Sequence, residues 1–261
     1  SLFDELKFEA SDSISLTCSD PTLPVDDGNL VVRAAKRLRE LAGVKAGAKI
    51  HLEKKIPAGG GMGGGSSDCA RTLLALNEFW KLGWAVERLV PIAAELGSDI
   101  AYFLYGGWCR CSGRGEIVER LPGSEQWPEV PLLLVLPPLH CATPAVYKAL
   151  KASALPDGAQ PRGLTAVSTH LASQLGEIVR TANSLEMYNS LTQASRAVEP
   201  GLIPVQDVLE RMYPGRWLMS GSGAVHFVVR KSDDDGSALQ RAMAGVRAGI
   251  RVVNANTCAL L

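Results

Sequence analysis

The chain opens on alternation. Leu6 and Phe8 are separated by charged neighbours, and Ile14, Leu16 and Cys18 by Ser and Thr, before the turn-rich stretch Ser19 to Gly28. Period-two alternation of this kind predicts strands with one buried face. From Asn29 to Ala42 the period lengthens, and Leu30, Val31, Ala34, Ala35 and Leu38 fall on one side of a helix that Gly43 ends. Ala48 to Lys54 returns to strict alternation and predicts a half-buried strand leading straight into a glycine-rich stretch. Beyond it, Cys69, Leu73, Leu76 and Trp80 recur at helical spacing, which predicts an amphipathic helix over Ser67 to Trp80. A second helix is predicted over Val86 to Leu96. Gly97-Ser98-Asp99 interrupts the pattern before the short apolar run Ile100 to Leu104, and Gly106-Gly107 turns the chain toward antiparallel strands around Trp108 to Val118.

The Pro- and Gly-containing segment Leu121 to Pro131 suits a linker and divides the chain into residues 1–129 and 130–261. The second part opens with a buried-type strand, Pro131 to Leu136. A helix near Pro144 to Lys151, a polar loop Ser153 to Gly163 and a helix from Thr165 to Arg180 follow, and Asn183 with Glu186 resembles a capping box. Strands at Trp217 to Met219, Val225 to Arg230 and Ile250 to Val253, with a helix over Ser237 to Val246, predict an α+β half built on an antiparallel sheet.

Composition narrows the function classes. Lys+Arg and Asp+Glu number 27 each among 261 residues, so no basic field awaits nucleic acid. The longest apolar runs, such as Leu132 to Leu136, are strand-sized and far short of a membrane span. Cys18, Cys69, Cys109, Cys111, Cys141 and Cys258 are scattered without C-x-x-C pairs, which indicates neither a zinc site nor a disulfide framework. A reducing cytoplasm is the expected compartment. His51, His140, His170 and His226 do not cluster in sequence and read as structural or surface residues.

The strongest chemical signal is Pro57-Ala58-Gly59-Gly60-Gly61-Met62-Gly63-Gly64-Gly65-Ser66-Ser67, set between a strand and a helix. Ordering so many glycines is entropically costly, which implies a backbone that needs positive φ or close approach to a ligand. Main-chain amides at a helix N-terminus favour an anion, so the expected guest is a phosphate, with Ser66 and Ser67 adding hydroxyls. The stretch lacks the Lys that a P-loop places before its Ser or Thr. A dinucleotide fingerprint can be forced from Gly59, Gly61 and Gly64, but the preceding strand alternates where a buried parallel strand would be continuously apolar. A plain surface turn is the alternative.

Pro57 to Ser67, with the A-L-N-x-x-W helix end at Ala75 to Trp80, resembles the phosphate loop of the GHMP kinase superfamily. Further pieces stand in the family's order: Asp27 to Val31, Lys54 to Pro57, Gly97-Ser98-Asp99 with Phe103, Thr143 to Tyr147, and Ser220-Gly221-Ser222-Gly223-Ala224. Within that superfamily the likeness is to the branch acting on a cytidine diphosphate alcohol of the non-mevalonate isoprenoid pathway. The resemblance implies two α+β domains, ribosomal-protein-S5-like and ferredoxin-like, with the active site in the cleft between them. It implies ATP and Mg²⁺, with Pro57 to Ser67 around the phosphates and Asn29 and Lys54 near the nucleoside. Asp99 matches the family's catalytic aspartate, for which a helix N-cap is the structural alternative. Thr143, Tyr147, Gly221, Ser222 and Gly223 match substrate-binding positions, Tyr147 as an aromatic stacked on cytosine. Helix core for Tyr147 and a hairpin turn for Gly221 to Gly223 are the alternatives there.

Met62 stands for a more usual Leu and Ser98 for a more usual Ala. The family's opening P-A-K-x-N-L strand, with its Lys, and its G-Y-H stretch do not occur in these residues. The resemblance therefore places a further segment ahead of residue 1. Two other readings are an inactive nucleotide-binding fragment and another GHMP kinase acting on homoserine, mevalonate or a sugar. The expected partner is a small molecule bearing cytidine diphosphate, with no nucleic acid and no membrane, bound by a monomer or a homodimer.

Overall fold

The computed structural model describes residues 2–121, 129–152, 188–231 and 233–257. The expected polar loop, the helix over 165–180, Asn183 and Glu186, His170, Cys258 and most of the 121–131 linker lie outside the described residues. Two compact units are present. One holds Leu2–Ala58 and resumes at Gly63 up to residue 121; the other holds Gly59–Met62 and the described residues from 129 onward.

In the first unit the alternating segments become β1 (Glu5–Ser11), β2 (Ile14–Cys18) and β3 (Gly47–Glu53), with β3 in the middle of the sheet. β1 runs antiparallel to β3, placing Leu6 opposite Leu52, whereas β2 runs parallel to it, with Leu16 beside Ile50. A parallel pair needs a crossover, and α1 (Leu30–Ala42) supplies it. Asn29 starts α1 by accepting a hydrogen bond from Val31 N at 3.0 Å, and Gly43 ends it in a left-handed conformation. Ala48, Ile50 and Leu52 point from β3 into a core shared with α1, α2 (Gly64–Phe79), α3 (Val86–Leu96) and α4 (Ile100–Tyr105). Leu38, Leu73, Leu76 and Leu89 are fully buried there. A hairpin of β4 (Cys109–Ser112) and β5 (Ile117–Arg120) follows.

The second unit is built on an antiparallel sheet ordered β7-β8-β6-β9, from β6 (Pro131–Leu136), β7 (Trp217–Met219), β8 (His226–Val229) and β9 (Arg251–Asn256). Leu133, Val135 and Val228 pack on α7 (Leu202–Met212) and α8 (Ser237–Val246). A smaller cluster joins α5 (Thr143–Ala152), α6 (Leu191–Val198), Met219 and Ala224. The expected antiparallel α+β half is present.

Two sequence expectations are corrected. α2 begins at Gly64, not Ser67: Ser67 N bonds Gly63 O at 2.8 Å, and glycines carry no apolar periodicity from which this first turn could be read. Helices α6 and α7 occupy a stretch for which the sequence reading gave only a helix-cap signal at Asn183 and Glu186, with no helix bounds. Pro204 sits in the first turn of α7, where a missing N–H breaks no intrahelical bond, so it is no helix breaker here.

Candidate active site

The phosphate-loop candidate is built from β3 outward. β3 ends at Glu53, Lys54 to Ala58 lead away from it, and Gly59, Gly61 and Gly63 take φ of +70°, +77° and +68°. Left-handed backbone at every second residue is open to glycine and strained for other types. Gly63 is the N-cap of α2 and makes no side-chain capping bond, and no acidic residue lies in that helix's first turn. The first-turn amides thus lack intrahelical acceptors at the positive end of a sixteen-residue helix, an arrangement suited to anionic oxygens. Ser67 Oγ donates to Gly64 O at 2.8 Å, so its proton is engaged within the helix, while the Ser66 hydroxyl makes no hydrogen bond among the described residues. The ring of Phe103 lies under Gly63, where a Cβ would come within 2.6 Å of it.

Lys54 is not free to face a ligand. Its side chain is 5% exposed and its ammonium contacts the carboxylates of Asp4 and Asp68, themselves 3% and 5% exposed. Burial pushes the Asp68 carboxyl up to about 6, a rise that Lys54 opposes and Asp4 reinforces. Asn29, expected near the nucleoside, uses its side chain to cap α1 and to donate to Pro24 O at 2.8 Å.

Asp99 stands at the N-cap position of α4 yet makes no side-chain capping bond. The structural alternative for this residue, capping, is therefore not its geometry. The carboxylate is exposed, accepts no hydrogen bond among the described residues, and lies beside the β4–β5 hairpin, 3.2 Å from where a Cβ on Gly115 would sit. Burial raises the thiol pKa of Cys111 in β4, and the Asp99 charge adds to that rise.

Within the second unit, Gly59–Met62 lie on a second glycine loop. Ser220 Oγ donates to Gly61 O at 2.9 Å and Val225 N to Gly60 O at 3.1 Å. A Cβ on Gly61 would stand 2.4 Å from Ser220 O, so two backbones touch with no room for a side chain. Gly221 and Gly223 have φ of +53° and +90°. Ser222 is buried between them, its Oγ 2.8 Å from Thr143 Oγ1 and its carbonyl accepting from Ser195 Oγ at 2.9 Å. Thr143, Gly221, Ser222 and Gly223 are thus brought together. Tyr147, one turn along α5 from Thr143, is 49% exposed and so is not helix core.

Several supporting residues went unnoticed in the sequence. Asn189 donates to Met219 O and Gly221 O, both at 2.8 Å, and accepts from Leu191 N at the start of α6. Arg196 Nε donates to Gln206 Oε1, which turns the Gln206 amide nitrogen toward His226 Nε2 at 2.9 Å. That nitrogen must accept, so the imidazole proton sits on Nδ1. Burial holds the ring neutral, pushing its pKa down to about 4. His140, read with the other histidines as structural or surface, lies against the first glycine loop, its ring 2.8 Å from where a Cβ on Gly59 would be. Gly59 carries no side chain to record that contact, so no pattern in the sequence could have announced it.

An open depression of about 770 Å³ lined by Ser13, Lys36, Arg39 and Glu40 shares no residue with these groups. Among the described residues no His, Cys, Asp and Glu cluster suited to a metal occurs, and no helix is long and apolar enough to cross a membrane. Cys18, Cys69, Cys109, Cys111 and Cys141 are free thiols.

The family described as GHMP kinases N terminal domain matches residues 29–107, from the N-cap of α1 past α4. The 4-diphosphocytidyl-2-C-methyl-D-erythritol kinase of Heliobacterium modesticaldum is 41% identical over 223 residues, 82% of this chain and 70% of that protein. The protein of the same name from Pelotomaculum thermopropionicum is 38% identical over 228 residues, 87% of this chain and 76% of that protein. A crystal structure of 4-(cytidine 5'-diphospho)-2C-methyl-D-erythritol kinase superposes with a TM-score of 0.73 at 31% identity, covering 97% of this chain and 85% of that one. With its glycine loop, its uncapped α2 and these relatives spanning most of its length, the chain belongs to the GHMP kinases and, among them, to the 4-diphosphocytidyl-2-C-methyl-D-erythritol kinase family.

Proposed function

We propose that this chain transfers the γ-phosphoryl group of ATP to the 2-hydroxyl of 4-diphosphocytidyl-2-C-methyl-D-erythritol. The observation that carries this reading is the α2 N-terminus, uncapped and free of acidic side chains at the end of a loop whose alternate glycines hold positive φ. Such a cradle suits a triphosphate, and relatives of one name along most of the chain support the acceptor.

In this scheme residues 1–129 bind ATP and residues 130–261 bind the acceptor. Pro57 to Ser67 surround the phosphates, with main-chain amides of Gly64, Gly65 and Ser66 facing the anionic oxygens and Asn29 lying toward the nucleoside. Mg²⁺ accompanying the nucleotide would supply neutralisation of phosphate charge. The exposed carboxylate of Asp99, not engaged in capping, orients the acceptor hydroxyl. As the new O–P bond forms and the bond from the γ-phosphorus to the bridging oxygen breaks, the hydroxyl proton passes to Asp99 and ADP leaves. Thr143, Gly221, Ser222 and Gly223 hold the acceptor's phosphates, and the exposed ring of Tyr147 offers a face for cytosine.

The test is ADP release with ATP, Mg²⁺ and 4-diphosphocytidyl-2-C-methyl-D-erythritol, beside homoserine and mevalonate. Turnover restricted to the cytidyl acceptor is expected, and Asp99→Asn should lower kcat by about 10²–10⁴-fold while ATP affinity holds. Turnover with homoserine or mevalonate instead would transfer the activity to another acceptor class. Nucleotide binding with no turnover would make the chain a binding fragment.

A further inference from the structure

Asp4, Lys54 and Asp68 are the three most deeply buried charges around the first glycine loop, and the chemistry above uses none of them directly. Their side chains are 3%, 5% and 5% exposed, in a cluster of two carboxylates and one ammonium. Each comes from a different piece of the fold: Asp4 precedes β1, Lys54 follows β3, and Asp68 lies in the second turn of α2. A structural ion pair would need only one carboxylate, and burying a surplus charge is costly.

The geometry shows what the extra carboxylate does. Asp4 Oδ1 accepts hydrogen bonds from Lys55 N at 2.6 Å and Ile56 N at 2.8 Å, the last two amides before Pro57 opens the loop. Its Oδ2 meets the Lys54 ammonium, which also donates to Asp68 Oδ2 at 3.1 Å on the helix that closes the loop. The same ammonium lies 2.8 Å from where a Cβ on Gly64 would be, so the first residue of α2 rests directly against it. The strand exit and the helix entry are thereby joined through a single nitrogen. The glycines between them have little torsional preference of their own, so beyond the bonds from Ser220 and Val225 to Gly61 and Gly60 their path depends on how these two ends are held.

We propose that Asp4, Lys54 and Asp68 are positioning residues for nucleotide binding, forming a buried ionic clamp that sets the α2 amides and the preceding loop in place for the ATP phosphates. Lys54 then serves the nucleotide by orienting the loop, with no contact of its own. The inference rests on the reading of this loop as the ATP site. A clamp acting on binding geometry should change affinity for ATP and leave the chemical step nearly intact once ATP is bound.

The test uses the full chain, with Mg-ATP titrated directly and ATP kinetics run at saturating cytidyl acceptor. Asp4→Ala and Asp68→Ala are expected to weaken ATP binding by about tenfold or more, with kcat at saturating ATP within about threefold. Asp4→Asn, which keeps an oxygen for the two backbone amides, should recover much of the loss. The triple variant Asp4→Asn, Lys54→Met, Asp68→Asn removes every charge in near-native volume, and serves if a single variant fails to fold. If that folded variant, or either folded alanine variant, binds Mg-ATP like the parent, the clamp is overturned. Parallel falls in kcat and affinity that track loss of folded protein would reduce the cluster to a stability role and also overturn it. A parent chain that binds Mg-ATP without turning over the acceptor leaves the clamp testable by titration while the kinase reading fails. A parent chain that binds no nucleotide overturns both.

Discussion

At the scale of single residues, the site is a set of positions where a side chain would be in the way. Gly61 shows this most directly, because its φ is +77° and a Cβ would come within 2.4 Å of the Ser220 carbonyl oxygen. Neither atom can yield, since both belong to backbones joined by the Ser220 hydroxyl and the Val225 amide. Gly61→Ala is therefore expected to destabilise the chain by about 1–3 kcal/mol and to weaken ATP binding, as read from thermal denaturation and nucleotide titration. Gly43→Ala is a useful contrast, because nothing lies within 4 Å of its added Cβ and only the backbone strain at φ +63° remains. An equal loss of ATP affinity in both variants would mean that contact with the second loop is unimportant. The need for glycine was legible in the sequence from sheer density. The partner that makes Gly61 obligatory lies 159 residues away and was not.

At the scale of elements, rigid pieces hold loops that have little structure of their own. The second glycine loop hangs between β7 and β8, and its carbonyls are fastened by Asn189 from ahead of α6 and by Ser195 from within that helix. Asn189→Ala deletes one bond to the end of β7, one to the loop and one to the start of α6, and an expected cost of about 1–3 kcal/mol follows from leaving those groups unpaired. A rise in KM for the cytidyl acceptor should accompany it in steady-state kinetics, and an unchanged KM would detach this loop from acceptor binding. The first glycine loop leads at Gly63 into α2, whose inner face is fully buried at Leu73 and Leu76. That face was readable as a helix from its spacing. The helix start was not, because glycines carry no periodic signal.

At the scale of the whole molecule, two buried groups give folding opposite dependences on pH. Asp68 has a folded value near 6 against about 3.9 for a free aspartate, so between those values the folded chain holds a proton that the unfolded chain has released. Its contribution is complete below the lower value and is lost as pH rises through the upper one. His226 has a folded value near 4 against about 6.5 when free, so the unfolded chain takes up the proton first. Its contribution is complete above the free value and is lost as pH falls through the folded one. Thermal midpoints recorded from about pH 4 to 6.5 should therefore climb more steeply with pH in Asp68→Asn than in the parent, and less steeply in His226→Gln. Parallel slopes in all three chains would show that neither group titrates differently on folding.

What the sequence determined by itself was local. Alternation placed β1, β2 and β3, helical spacing placed α1, α3 and most of α2, and the glycine stretch marked the candidate phosphate loop, because each of these is written in neighbouring residues. Only the tertiary structure decided that Asp99 leaves α4 uncapped, that Lys54 turns inward between Asp4 and Asp68, and that Asn189 and Ser195 hold a loop some thirty residues further on. Those outcomes depend on where a side chain's partner lies in space, and burial selects that partner from distant parts of the chain. A buried charge or carbonyl must find a partner somewhere, and periodicity along one segment carries no information about which segment supplies it.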